Sequence, residues 1–92
     1  MAKRIHIENI MFTSGARADL LYWENTSPKT IEQINRIIES IVEDPSKGIG
    51  KPEKLKYELT GLWSRRINHK DRMVYEIDGD TLIILQLRDH NA

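Results

Sequence analysis

Eight basic residues, Lys47, Lys51, Lys54, Lys56, Arg65, Arg66, Lys70 and Arg72, fall within residues 45–72 of a 92-residue chain whose formal net charge is zero. Only Glu53, Glu58 and Asp71 oppose them there, so the stretch carries a local charge of +5, against −2 for residues 1–44 and −3 for residues 73–92. A sequence pI of 6.8 therefore conceals a polarised molecule. The chemistry open to such a cluster is anion binding: a guanidinium offers two parallel hydrogen bonds to a phosphate, and an ammonium offers a compact point charge. A concentrated positive surface on a small domain is the electrostatic footprint of nucleic-acid binding, although charge runs also arise as plain solvated faces.

Composition narrows the classes further. The chain has no cysteine, which excludes disulfides, thiolate catalysis and cysteine-ligated zinc. His6, His69 and His90 are too scattered for metal-ligand spacing, so neither metal nor cofactor is expected. No apolar run is long enough to span a bilayer, and the amino terminus lacks the basic-then-apolar pattern of a signal peptide. The expectation is a cytoplasmic protein in which residues 1–92 form one domain with a single modest core.

The elements that must position these cations can be read from periodicity. Ile5 and Ile7 alternate with Arg4, His6 and Glu8, as in a short half-buried strand. Thr13 or Ser14 can cap a helix in which Ala16, Leu20 and Trp23 recur, closing at Asn25. Ser27 and Pro28 read as the N-cap and first residue of a second helix, because proline's missing N–H costs nothing in the first turn. Ile31, Ile34, Ile38 and Ile41 stripe that helix toward a core, and Asp44-Pro45 ends it. Period-two patterning then predicts strands over 62–68, 72–78 and 81 to about 90, with another short one near 55–59. The fold class expected is α+β, with two N-terminal helices packed on one face of a small, mainly antiparallel sheet.

Strand parity places Met73, Tyr75 and Ile77 inward with Ile83, Leu85 and Leu87. Arg66, Arg72, Arg88 and His90 then emerge together on the uncovered face, where they would form a phosphate cradle. Arg65 has inward parity beside Trp63, which suggests a sheet edge or an ion pair.

Lys51-Pro52-Glu53, the run Leu59-Thr60-Gly61-Leu62-Trp63-Ser64-Arg65-Arg66-Ile67, Arg72-Met73-Val74-Tyr75 and the terminal Arg88-Asp89-His90 together form a pattern. With Leu20-Leu21-Tyr22-Trp23, they make the chain closely resemble the YoeB/Txe toxins of bacterial type II toxin–antitoxin systems, within the RelE/ParE superfamily. The resemblance covers essentially the whole chain. It implies a ribosome-dependent endoribonuclease, an mRNA interferase that cuts messenger RNA in the A site of the 70S ribosome and inhibits translation. It also implies a homodimer, neutralisation by a cognate antitoxin of YefM/Axe type, and contact with operator DNA only through the antitoxin complex.

For the chemistry, the resemblance assigns Glu53 as general base, Arg66 and Arg72 as phosphate-holding arginines, and His90 as general acid. An imidazole titrates near neutrality and can donate a proton there. Lys56, Arg88 and Asn91 are expected to contact substrate. Without the resemblance, Glu53 reads as a surface carboxylate paired with Lys51 or Lys56, and Arg72 as an ion-pair partner of Glu76. One departure stands out: tyrosine-ending relatives finish His-Tyr, whereas this chain ends His90-Asn91-Ala92. Asparagine neither stacks on a base as a phenol does nor exchanges a proton near neutral pH. Weaker activity or altered codon preference follows, and two other readings stay open: a ParE-like gyrase-binding toxin, and a catalytically weak RNA or ribosome binder.

Overall fold

The computed structural model describes residues 6–89. Their order is β1 (Asn9–Phe12), α1 (Ser14–Thr26), α2 (Pro28–Glu43), β2 (Glu53–Lys54), a 3-10 turn (Tyr57–Leu59), β3 (Trp63–Arg66), β4 (Arg72–Asp78) and β5 (Thr81–Gln86). The strands form one sheet in the order β1-β5-β4-β3-β2, in which β1 runs parallel to β5 and every other pair is antiparallel. Two helices on a mostly antiparallel sheet is the expected α+β architecture.

Both helices begin as the sequence dictates. Thr13 Oγ1 accepts from the Ala16 N–H, and Ser27 Oγ accepts from the Thr30 N–H, each satisfying one otherwise orphaned donor. Asp44 closes α2 ahead of Pro45. Ile34, Ile37 and Ile41 of α2 are buried with Ala16 of α1 against Met73, Tyr75, Leu82, Ile84 and Leu87 of the sheet side. Ile31 and Ile38 flank this core half-buried, and Ile37, absent from the expected stripe, lies at its centre. Each of these isoleucines removes apolar area worth about 2 kcal/mol from water.

The strand bounds differ from the sequence reading in ways with physical causes. Of the strand expected around Ile5 and Ile7, Arg4 and Ile5 lie outside the described residues; among those described, the first strand starts at Asn9, with Ile7 buried just before it. The short strand expected near 55–59 is instead β2 at Glu53–Lys54, and the segment after it coils into the 3-10 turn. β3 spans only four residues because the Asp71 carbonyl accepts from both Ile67 N–H and Asn68 N–H, pulling those residues into the turn to β4.

β5 holds the largest correction. Tyr75 pairs with Ile84 but Val74 pairs with Gln86, so Leu85 is an extra residue, a bulge that reverses parity. Leu82 and Ile84 therefore face the core before it and Leu87 after it, so Ile83 and Leu85 are not in the buried set. Beyond Gln86 the backbone pairs with α1 side chains. Asp19 Oδ2 accepts from the Leu87 N–H at 3.0 Å, and Trp23 Nε1 donates to the Leu87 carbonyl at 2.8 Å.

Candidate functional site

The sheet face opposite the helices collects side chains by register. Glu53 of β2 lies opposite Ser64 of β3, Ser64 opposite Val74 of β4, and Val74 opposite Gln86 of β5. One row along, Arg66 stands directly opposite Arg72. Like charges in that relation repel, at a cost of a few tenths of a kcal/mol, about the scale of other cross-strand pairs. An anion between them would turn that cost into attraction.

Arg72 is the hub. Its Nη1 donates to Glu53 Oε1 at 3.2 Å and to Ser64 Oγ at 3.5 Å. Arg72 thus pairs with Glu53 and not with Glu76, and Glu53 with Arg72 and not with Lys51 or Lys56, the partners that a surface reading suggested. Both side chains are well exposed, 45 % for Arg72 and 63 % for Glu53. A pair in that setting is worth at most about 1 kcal/mol, so a phosphate can take the guanidinium from the carboxylate cheaply.

Two depressions meet at Arg72. The first, of about 400 Å³, is lined by Lys51, Pro52, Glu53, Arg66 and Arg72, and is almost wholly ionic. Its rim holds Lys51 at φ +51°, a left-handed conformation costly for a side-chain-bearing residue. The second, of about 420 Å³, is lined by Leu55, Leu59, Ser64, Lys70, Arg72, Val74, Gln86 and Asp89, mixing apolar walls with hydrogen-bonding groups. A charged compartment beside a more apolar one suits a phosphate next to the base it carries.

The other expected site residues divide. Lys56 is exposed at the entry to the 3-10 turn and lines neither depression. Arg88 is not with the sheet-face arginines: its guanidinium carbon sits 3.6 Å from the ring centre of Tyr22 on α1. The bulge at Leu85 and the end of β5 at Gln86 release it from strand parity, and a cation–π contact with the helix holds it instead. His90 and Asn91 lie outside the described residues. The chain arrives at Asp89, whose N–H donates to buried Asp71 Oδ1 at 2.9 Å and which walls the second depression. Among the described residues no group of three or more histidines or carboxylates could hold a metal ion, and no helix is long and apolar enough to cross a membrane.

Sequence reasoning passed over Gln86, Leu55 and Leu59 as site walls. Only the pairing of β2 with β3 and the bulge in β5, both long-range features, bring them to Arg72. Arg65 was placed wrongly. It is fully buried in an interior strand, and its hydrogen bonds run to neutral groups: Tyr75 Oη, Ser40 Oγ and the carbonyls of Asp44, Lys47 and Ile49.

A family model for the YoeB-like toxin of bacterial type II toxin–antitoxin systems matches residues 12–91. The chain is 47% identical over 81 residues to the toxin YoeB of Streptomyces coelicolor, covering 88% of this chain and 96% of that protein. Among solved structures it is similar to the YoeB dimer from Staphylococcus aureus, with a TM-score of 0.84 and 42% identity, over 90% of this chain and 97% of that one. The heterotetrameric YoeB–YefM toxin–antitoxin complex from the same organism gives a TM-score of 0.86 and 40% identity, over 98% of this chain and 100% of that one.

Proposed function

Because the chain belongs to the YoeB family of type II toxin–antitoxin toxins, we propose that it is an endoribonuclease that cuts messenger RNA in the A site of the ribosome. The observation that carries this reading is a carboxylate, Glu53, held 3.2 Å from Arg72 with Arg66 directly across the strand pair. Messenger RNA supplies its own nucleophile, the 2′-hydroxyl. Arg66 and Arg72 take the scissile phosphate, and Arg72 exchanges its bond to Glu53 for bonds to phosphate oxygens. The released carboxylate removes the 2′-hydroxyl proton as that oxygen attacks phosphorus. Charge gathers on the phosphorane oxygens, where two fixed guanidinium groups stabilise it more than they stabilise the ground state. His90 gives a proton to the departing 5′-oxygen, leaving a 2′,3′-cyclic phosphate and a 5′-hydroxyl.

Base, positive charge and acid all come from side chains in this scheme, so no metal has a step to perform. The second depression takes the neighbouring base, with Leu55, Leu59 and Val74 against its face and Gln86 at its edge. In keeping with the YoeB–YefM complex and the YoeB dimer, the partners proposed are a YefM-like antitoxin and a second copy of the chain. Operator DNA is met only through the antitoxin complex.

Primer extension on a defined messenger RNA in a purified translation system tests the reading, comparing the native chain with His90→Ala and Glu53→Gln, with and without ribosomes and with EDTA added to ribosome-free controls. Cleavage in the A-site codon that requires ribosomes and collapses in both variants is expected. No cleavage by the native chain would overturn the nuclease assignment, and inhibition of gyrase supercoiling in its place would make it a gyrase poison.

A further inference from the structure

We infer that buried Arg65 is the positioning residue for Glu53, acting as a clamp on the loop that delivers the carboxylate to the site. The inference rests on the reading of Glu53 as the general base.

Arg65 has no exposed surface, yet its hydrogen bonds run to neutral acceptors. Nε donates to Tyr75 Oη at 3.1 Å, Nη1 to Ser40 Oγ at 2.6 Å and to the Ile49 carbonyl at 3.2 Å, and Nη2 to the carbonyls of Asp44 and Lys47 at 2.7 and 3.0 Å. A buried cation normally demands an anion. The carboxylate of Asp44, whose carbonyl Arg65 binds, is turned to the Ser46 N–H and hydroxyl, both at 2.9 Å. The compensating negative potential comes from the C-terminal end of α2, whose last carbonyls lack intrahelical donors. The Tyr75 hydroxyl completes the cage by donating to the Pro45 carbonyl at 2.8 Å.

Apart from Tyr75 these acceptors span residues 40–49, so one side chain fixes the end of α2 and the loop that leaves it. The loop is laid tightly on β3. A Cβ at Gly48, φ +128°, would collide with Ser40 Oγ and approach Arg65 Nη1. A Cβ at Gly50, φ +80°, would stand 2.9 Å from the Arg66 carbonyl. The Gly50 carbonyl accepts from the Arg66 N–H at 2.6 Å, and three residues later Glu53 enters the sheet opposite Ser64. The guanidinium of Arg65 therefore sets the path by which Glu53 reaches Arg72 from the far side of the sheet. An aliphatic residue of similar length could fill the space but would leave the Asp44, Lys47 and Ile49 carbonyls without these donors. The requirement is for the donors, and lysine, with three donors on a flexible stem, supplies too few in the wrong plane.

The experiment has two arms. In the first, amide hydrogen exchange is followed at Arg66 and at Tyr75 in the native chain, Arg65→Lys and Ser40→Ala, all below their melting temperatures. Ser40→Ala keeps the variant set informative if Arg65→Lys folds poorly, since it removes a single acceptor shared by Arg65 and the Ile49 N–H. The Arg66 amide should exchange at least about tenfold faster while Tyr75 is unchanged, because loosening is local. Unchanged protection at Arg66, or an equal loss at both amides, would overturn the clamp.

In the second arm, ribosome affinity and single-turnover cleavage are measured for the same variants with and without Glu53→Gln. Arg65→Lys should lower the rate about 30- to 100-fold and Ser40→Ala about threefold, with affinity held, the scale expected when a reacting group is misplaced by an ångström. Neither should have further effect once Glu53 is glutamine. Additive losses in the Glu53→Gln background would mean that Arg65 acts on overall integrity, not through Glu53. An inert Glu53→Gln would instead sink the general-base reading, while the exchange arm still decides the clamp.

Discussion

Arg65 and Arg66 are neighbours in sequence and opposites in physics. The first points into the helix side of β3, is fully buried, and spends its donors on a hydroxyl pair and three carbonyls. The second points to the open face, is exposed, and stands opposite another arginine in the sheet. Period-two geometry makes the separation unavoidable, since consecutive strand residues face opposite sides. The lesson is that a Trp-Ser-Arg-Arg run does not present one basic patch: it divides into a buried residue bonded to the loop after α2 and an exposed residue on the open sheet face.

The largest effect expected from breaking this contrast is on activity. Arg66→Met should cut mRNA cleavage about 10²- to 10³-fold, the scale of removing one transition-state donor. Its thermal unfolding should match or slightly exceed that of the native chain, because repulsion from Arg72 is relieved. Arg65→Met should do the reverse to stability, lowering it by about 3 kcal/mol as carbonyls lose their donors; chemical denaturation of the two variants side by side separates them. A loss of similar size in both would mean that Arg66 is structural too.

The Tyr75 hydroxyl in the cage of Arg65 sharpens the same comparison through pH. Burial raises its pKa above the ordinary 10.0, opposed by the hydrogen bond and charge of Arg65. A group raised on folding contributes stability that is present below its unfolded pKa and is lost as pH rises through the folded value. Stability should therefore fall above pH 10 more steeply in the native chain than in Tyr75→Phe, as thermal unfolding between pH 8 and 11 would report. The smallest expected effect is at the carboxy terminus, where Asn91→Tyr should raise cleavage about threefold by restoring a ring that can stack on a base. An unchanged or reduced rate would remove Asn91 from the account.

Much of the fold was legible in the sequence because its signals are local. Ser27-Pro28 opens α2 and Asp44-Pro45 closes it, and 72–78 reads as a strand that is found with those bounds. What failed depended on contacts far along the chain. Nothing near Leu85 announces a bulge, and the side chains that bond the backbone of Leu85 and Leu87 there, Thr13, Asp19 and Trp23, lie some 64 to 72 residues away in sequence. The contact of Arg88 with Tyr22 is likewise long-range. Likewise, parity could say that Arg65 faces inward but not that a helix end and a loop would meet it there with carbonyls. At the site, strand parity already puts Arg66 and Arg72 on one open face, but the arrival of Glu53 beside them was legible only through the family pattern, since β2 must align on β3 to bring it there.

The most direct test of the central claim removes the nucleophile from the substrate. A messenger RNA carrying a single 2′-deoxynucleotide at the scissile position, set in the A site of a purified ribosome, should resist the native toxin completely. The all-ribose message should be cut to a 2′,3′-cyclic phosphate, and the same cut should be lost with Glu53→Gln. Cleavage of the 2′-deoxy message at the same bond would contradict the account, because Glu53 would then have no 2′-hydroxyl proton to take.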